Sequence, residues 1–160
     1  AMCKEMNNHF KVENLKNAAG DTPLHKAAIF GHLEVFFMVT SRIQNINPRN
    51  YEGFTPLHFA AGHGHLPVCQ YIFDRVPDKN PRNDSDMIWT PLHLAAANGQ
   101  TAVCQLLIKY NQRDVHLEDK NGDTPLSLAR KFGYGQTARV LSAWKLKHRR
   151  VSKHKHNFKM

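Results

Sequence analysis

The sequence predicts an all-α repeat solenoid, a stack of helix–turn–helix units, on three observations. A seven-residue phrase opening Thr-Pro-Leu returns four times at spacings of 33, 35 and 34 residues. In the first three units the phrase itself opens one short stretch with helical apolar spacing, and glycine separates it from a second. Self-similarity at a fixed period of this length is the signature of a repeat architecture, because one such unit cannot bury its own apolar faces.

Each unit opens on the phrase itself. It reads Thr22-Pro23-Leu24-His25-Lys26-Ala27-Ala28, then Thr55-Pro56-Leu57-His58-Phe59-Ala60-Ala61. It returns as Thr90-Pro91-Leu92-His93-Leu94-Ala95-Ala96 and as Thr124-Pro125-Leu126-Ser127-Leu128-Ala129-Arg130. Threonine supplies an N-cap oxygen, and proline brings a φ already suited to the first turn, where no N–H is needed. In the second unit Leu57, Ala60 and Ala61 fall at i, i+3 and i+4, one apolar face with two small residues that permit close helix approach. Gly62, Gly64 and His65 are expected to break that helix.

A second helix follows in each unit. Its apolar residues are Val35, Phe36, Met38 and Val39 in the first, then Leu66, Val68, Cys69, Ile72 and Phe73 in the second. Val103, Cys104, Leu106, Leu107 and Ile108 mark the third, and Ala138, Val140, Leu141 and Trp144 the fourth. In the second unit this helix is apolar on two sides and so demands a neighbour on each, which makes the units stack. The linkers rhyme as well: Asn47-Pro48-Arg49-Asn50 recurs as Asn80-Pro81-Arg82-Asn83 and, more weakly, as Asn14-Leu15-Lys16-Asn17. Gly20, Gly53 and Gly122 stand two residues before the phrase, where a tight turn with positive φ is expected. The connection from Asp84 to Trp89 lacks that glycine and is expected to turn differently.

Composition fits a folded domain: 160 residues, 41% apolar and 22% charged. No run approaches the length of a membrane span. Three cysteines exclude a disulfide-stapled scaffold and point to a reducing, intracellular setting, cytoplasmic or nuclear. The net charge of +9 is concentrated at one end, since seven of the 22 basic residues and no carboxylate lie in residues 145–160. The remainder holds 15 basic against 13 acidic residues, a near-neutral body with a basic tail.

The Thr-Pro-Leu-His-x-Ala-Ala phrases, the Gly-His-Leu before a second helix and the period of about 33 residues resemble the ankyrin repeat over roughly residues 17–147. The resemblance implies antiparallel helix pairs in a gently curved solenoid, with β-hairpin loops projecting at right angles. It divides the chain into an N-terminal flank or partial cap at 1–16 and repeats at 17–49, 50–84, 85–118 and 119–147, with a basic tail at 148–160. In the flank, Met6, Phe10, Val12 and Leu15 are expected to cover the exposed side of the first repeat. Ala1 ahead of Met2 is expected to be a cloning remnant, and the chain a piece of a longer protein. The fourth copy departs from the pattern at Ser127 and Arg130, polar changes that suit a C-terminal cap facing water.

Eleven histidines invite a metal or catalytic reading, but position argues against it. His25, His58 and His93 share one slot of the phrase, where the resemblance implies an imidazole that ties neighbouring loops through hydrogen bonds with threonine. His32 and His65 belong to the turn before the second helix, and His154 with His156 is too small a set for zinc. Cys69 and Cys104 sit on successive helices, too far apart for a bridge, and are expected as free buried thiols. The sequence has no Gly-rich phosphate loop, nucleophile elbow, His-Glu-x-x-His or Cys-x-x-Cys. The expectation is a chain that is no enzyme and uses no cofactor or metal.

A partner is expected on the slots flanking each phrase, which the resemblance assigns to protein binding. These slots carry Phe30, Tyr51, Phe54 and His63 in the first two repeats. Met87, Ile88, Trp89 and Asn98 follow in the third, then Asp123 and Phe132 in the fourth. Aromatic clusters ringed by polar groups are how interface hot spots are built. Tyr51, Met87 and Trp89 lead that set, while Phe54 and Trp89 have the alternative of folding back on their own hairpins. On the slot reading, Trp89→Ala leaves melting nearly intact.

The expected function is therefore a monomeric, non-catalytic protein–protein interaction module. The alternative rests on Lys147, Arg149, Arg150, Lys153 and Lys155. Such a cluster suits an anionic partner (nucleic acid, acidic protein or membrane surface) or nuclear import. A third reading makes the chain a substrate: the resemblance implies asparagine hydroxylation at the linker position of Asn47, with Asn80 a second candidate.

Overall fold

The computed structural model describes residues 15–78, 81–84 and 88–144. Seven α-helices have both ends described: α1 (Pro23–Phe30), α2 (Leu33–Thr40), α3 (Pro56–His63), α4 (Leu66–Phe73), α5 (Pro91–Ala97), α6 (Thr101–Tyr110) and α7 (Pro125–Lys131). An eighth, α8, runs over 135–144, and Gln112–His116 form a 3₁₀ turn after α6. No strand occurs among the described residues.

Each first helix starts as the phrase dictates. Thr22, Thr55 and Thr90 are extended N-caps with proline following. The histidine three residues on plays the part usually taken by glutamate in a capping box, its ring returning to the threonine backbone N–H. Gly62 does not break its helix. It lies inside α3, and the left-handed cap is Gly64 at φ 80°.

The first helices α1, α3, α5 and α7 pack in one row, with α2, α4 and α6 behind them. Leu24, Leu57, Leu92 and Leu126 repeat as a buried ladder through the first row, flanked by Ala27, Ala28, Ala60, Ala61, Ala95, Ala96 and Ala129. Without Cβ branches these alanines let helix axes approach closely. The second row closes over Phe36, Val68, Cys69, Ile72, Phe73, Val103, Cys104, Leu107, Ile108, Ala138 and Leu141. Cys69 and Cys104 are free and buried, and burial pushes both thiols up to about 12.

The loops between units are tight fingers, closed by short-range backbone bonds rather than a strand ladder. The Asn50 N–H donates to the Phe54 carbonyl at 2.8 Å and the Asp119 N–H to the Asp123 carbonyl at 2.9 Å. Neighbouring fingers join edge to edge, Tyr51 N–H to the Ala19 carbonyl at 3.0 Å and Asp84 N–H to the Glu52 carbonyl at 2.9 Å.

The third finger holds a surprise of local geometry. Gly53 adopts φ 77°, and a Cβ there would strike Asp84. At the corresponding place before Thr90 stands Ile88, which keeps the same left-handed conformation at φ 52° although it is β-branched. The absent glycine does not abolish the turn; it places a strained residue in it.

In the fourth unit Arg130 is exposed, within 3.4 Å of the Ser142 hydroxyl. Ser127 turns inward, donating to Asp123 at 2.8 Å and sharing its hydroxyl with the Thr124 carbonyl at 2.9 Å. Among the described residues no helix is long and apolar enough to cross a membrane.

Candidate interaction surface

The candidate surface is assembled from the fingers and the C-terminal halves of the first helices. Its rigidity comes from the three phrase histidines. The His25 ring lies 3.0 Å from the Thr22 N–H and 2.9 Å from its hydroxyl through Nδ1, while Nε2 reaches the Phe54 carbonyl of the next finger at 3.0 Å. His58 repeats this with Thr55 and the Trp89 carbonyl at 3.1 Å. His93 does so with Thr90 and the Leu117 carbonyl at 3.1 Å.

A carbonyl can only accept, so the proton sits on Nε2, and Nδ1 accepts from threonine. A second proton on Nδ1 would face a backbone donor. Burial accordingly drives the His58 imidazole down to about 3, with His25 and His93 also lowered chiefly by burial. These rings are neutral structural crossties. His65 and Gln100 add a second set, donating back to the Ile29 carbonyl at 2.8 Å and the Gly62 carbonyl at 3.3 Å.

On this frame the sequence-expected contact residues divide into two kinds. Phe30, Tyr51 and Phe132 are each more than half exposed. Phe30 stacks on His32 at 6.0 Å, and Tyr51 lies 5.6 Å beneath the Lys16 ammonium. His63 is exposed, its Nδ1 donating to the Phe59 carbonyl at 2.9 Å and its ring parallel to His65. Asn98 is exposed and donates to the Leu94 carbonyl at 2.9 Å.

The others are tied into the scaffold. Phe54 is half-buried, edge-on to His58 at 5.5 Å and against Phe59 at 5.6 Å. Trp89 is half-buried too: its N–H donates to Asn83 at 2.6 Å, its carbonyl receives His58, and its indole N–H donates to Asp119 at 2.8 Å. This last bond ties Trp89 across fingers to the fourth unit. Burial pushes the Asp119 carboxyl up, but hydrogen bonds from Trp89, Asp123 and Asn121 win and hold it below the usual carboxylate range. Asp123 accepts from Ser127 and pairs with Lys131 at 3.2 Å. Ile88 is half-buried.

Two residues of this surface escaped the sequence analysis. Phe59 and Leu94, half-buried, occupy the variable fifth place of the phrase on α3 and α5. Lys26 fills that place on α1 and is exposed. The switch from lysine to large apolar residues was the available signal.

Asn47 accepts from the Leu57 N–H at 3.0 Å, so its side chain oxygen is used by the linker. Asn80, Met87 and the tail residues Lys147, Arg149, Arg150, Lys153 and Lys155 lie outside the described residues. Among the described residues there is no group of three or more histidine, cysteine or acidic side chains placed to hold a metal ion.

Comparison with known families agrees with this architecture. The family model described as ankyrin repeats (3 copies) matches residues 1–83 and 76–149. No curated protein matches the chain.

Proposed function

The chain belongs to the ankyrin-repeat family, whose repeats generally serve as protein–protein interaction modules and are typically non-catalytic, and on that premise we propose that it binds a segment of another protein along the candidate surface. The observation that carries this reading is the exposure of Phe30, Tyr51 and Phe132 on a face whose supporting backbone is locked by the histidine crossties. Large aromatic side chains held exposed on a rigid frame lose little freedom on association, which is how a small contact area yields useful affinity. Half-buried Phe54 and Phe59, 5.6 Å apart, and half-buried Leu94 add apolar surface.

The test is affinity capture from cell extract with the wild-type chain beside a Phe30→Ala/Tyr51→Ala/Phe132→Ala variant of equal melting temperature. Proteins retained by the first and lost by the second support the reading; identical retention overturns it.

A second reading is favoured by the seven cations of residues 145–160, which suit an anionic partner. If all seven engaged duplex DNA, log affinity would fall against log salt with a slope of about −6. Deleting 147–160 abolishes that binding and spares the candidate surface, so the two readings separate.

A further inference from the structure

The two ends of the stack are unequal. Val35 on α2 is 42% exposed, whereas its counterparts Val68 on α4 and Val103 on α6 are 0% and 1% exposed. α4 and α6 each have the second helix of the preceding unit packed against them, a neighbour that α2 lacks among the described residues. Thr137, the counterpart on α8, is 1% exposed in the last described helix pair, and its hydroxyl meets Thr101 of α6 at 2.7 Å. Met38 is likewise exposed, one turn along the same side of α2, where Tyr71 and Leu106 in the later helices are half-buried. This apolar strip is therefore built for the second helix of a preceding unit, and among the described residues nothing lies on it.

The sequence carries that helix's pattern. Stepping back 33 residues from Val35, Phe36 and Val39 gives Met2, Cys3 and Met6, and the same step from Asn47 gives Asn14. Cys3 thereby falls in the series Cys3, Phe36, Cys69, Cys104, whose last three members are buried. Met2, Met6 and Phe10 recur every four residues, the spacing of a single helix face. We propose that residues 2–14 dock on the open side of α2 in the place of a preceding unit's second helix, burying Val35 and Met38.

Native thiol labelling followed by peptide mass analysis tests this on the whole chain. Docking protects Cys3 along with Cys69 and Cys104, and Val35→Asp speeds Cys3 labelling roughly tenfold or more by local undocking while the other two stay protected. A Cys3 that labels at the speed of a free thiol in the wild-type chain overturns the proposal. So does a Cys3 whose protection Val35→Asp leaves unchanged in a chain that still folds. Light scattering completes the test: a monomer agrees with docking in cis, and a dimer that Val35→Asp dissociates assigns the strip to a second copy instead.

Discussion

Trp89 gives its indole N–H to Asp119 at 2.8 Å, joining the third finger to the fourth. The same residue's carbonyl closes the bond to His58 behind it. One side chain and its backbone thus span three consecutive units. Trp89→Phe keeps the ring but deletes the donor, and is expected to lower stability by about 1 kcal/mol, the scale of a hydrogen bond to a charged group that water can partly replace. Thermal melting of both variants checks this. Trp89→Ala should cost more, since it also removes apolar packing.

Ile88 offers the opposite case. A β-branched residue at φ 52° carries strain that glycine would not. Ile88→Gly is expected to raise stability by up to about 1 kcal/mol, the strain relieved outweighing the extra freedom of glycine in the unfolded chain. A lower denaturation midpoint would mean that the side chain's packing matters more than its backbone.

Acid should loosen the stack well above the range where carboxylates titrate. Unfolded imidazoles take up a proton near 6.5, whereas the folded His58 does so only at about 3, and His25 and His93 are lowered as well. Between those values the unfolded state binds more protons, so stability rises with pH and falls as pH drops from 6.5 toward 3. Melting temperatures at pH 7 and 4.5, for the wild type and for His58→Gln, test this: the variant starts lower and loses less.

Asp114 should pull the other way. It is buried in the 3₁₀ turn, and burial with the nearby Asp78 charge pushes its carboxyl up to about 7. Its folded form therefore holds a proton that the unfolded form has released, a stabilising effect complete below 3.8 and lost as pH rises through 7. Asp114→Asn is expected to gain stability relative to wild type at pH 8 compared with pH 5. An unchanged difference between the two pH values would show that the group titrates normally.

The helices were legible because the threonine, proline and histidine of each phrase act locally, within one turn. What eluded reading were features set by partners 30 residues away. Trp89 is open to two readings in sequence, contact residue or hairpin packing, and nothing nearby announces that Asp119 waits across the gap. Gly62 looks like a breaker beside Gly64, but helical backbone accommodates it and the left-handed cap falls one turn-end later. Ile88 shows that a finger's shape is imposed by its neighbours' edge bonds and caps, which override local preference. Phe59 and Leu94 were hidden because the fifth place of the phrase points inward in some units and outward in others.

The histidine crossties also set a direction of growth. Each imidazole reaches forward to the carbonyl of the following finger, and the fourth unit replaces it with Ser127, whose hydroxyl bonds only within its own unit. A fifth module grafted after residue 144 would meet Arg130 where an alanine must nestle, and would find no ring extended toward it. Lengthening this rod therefore requires Ser127→His and Arg130→Ala together, before any new module can be expected to seat.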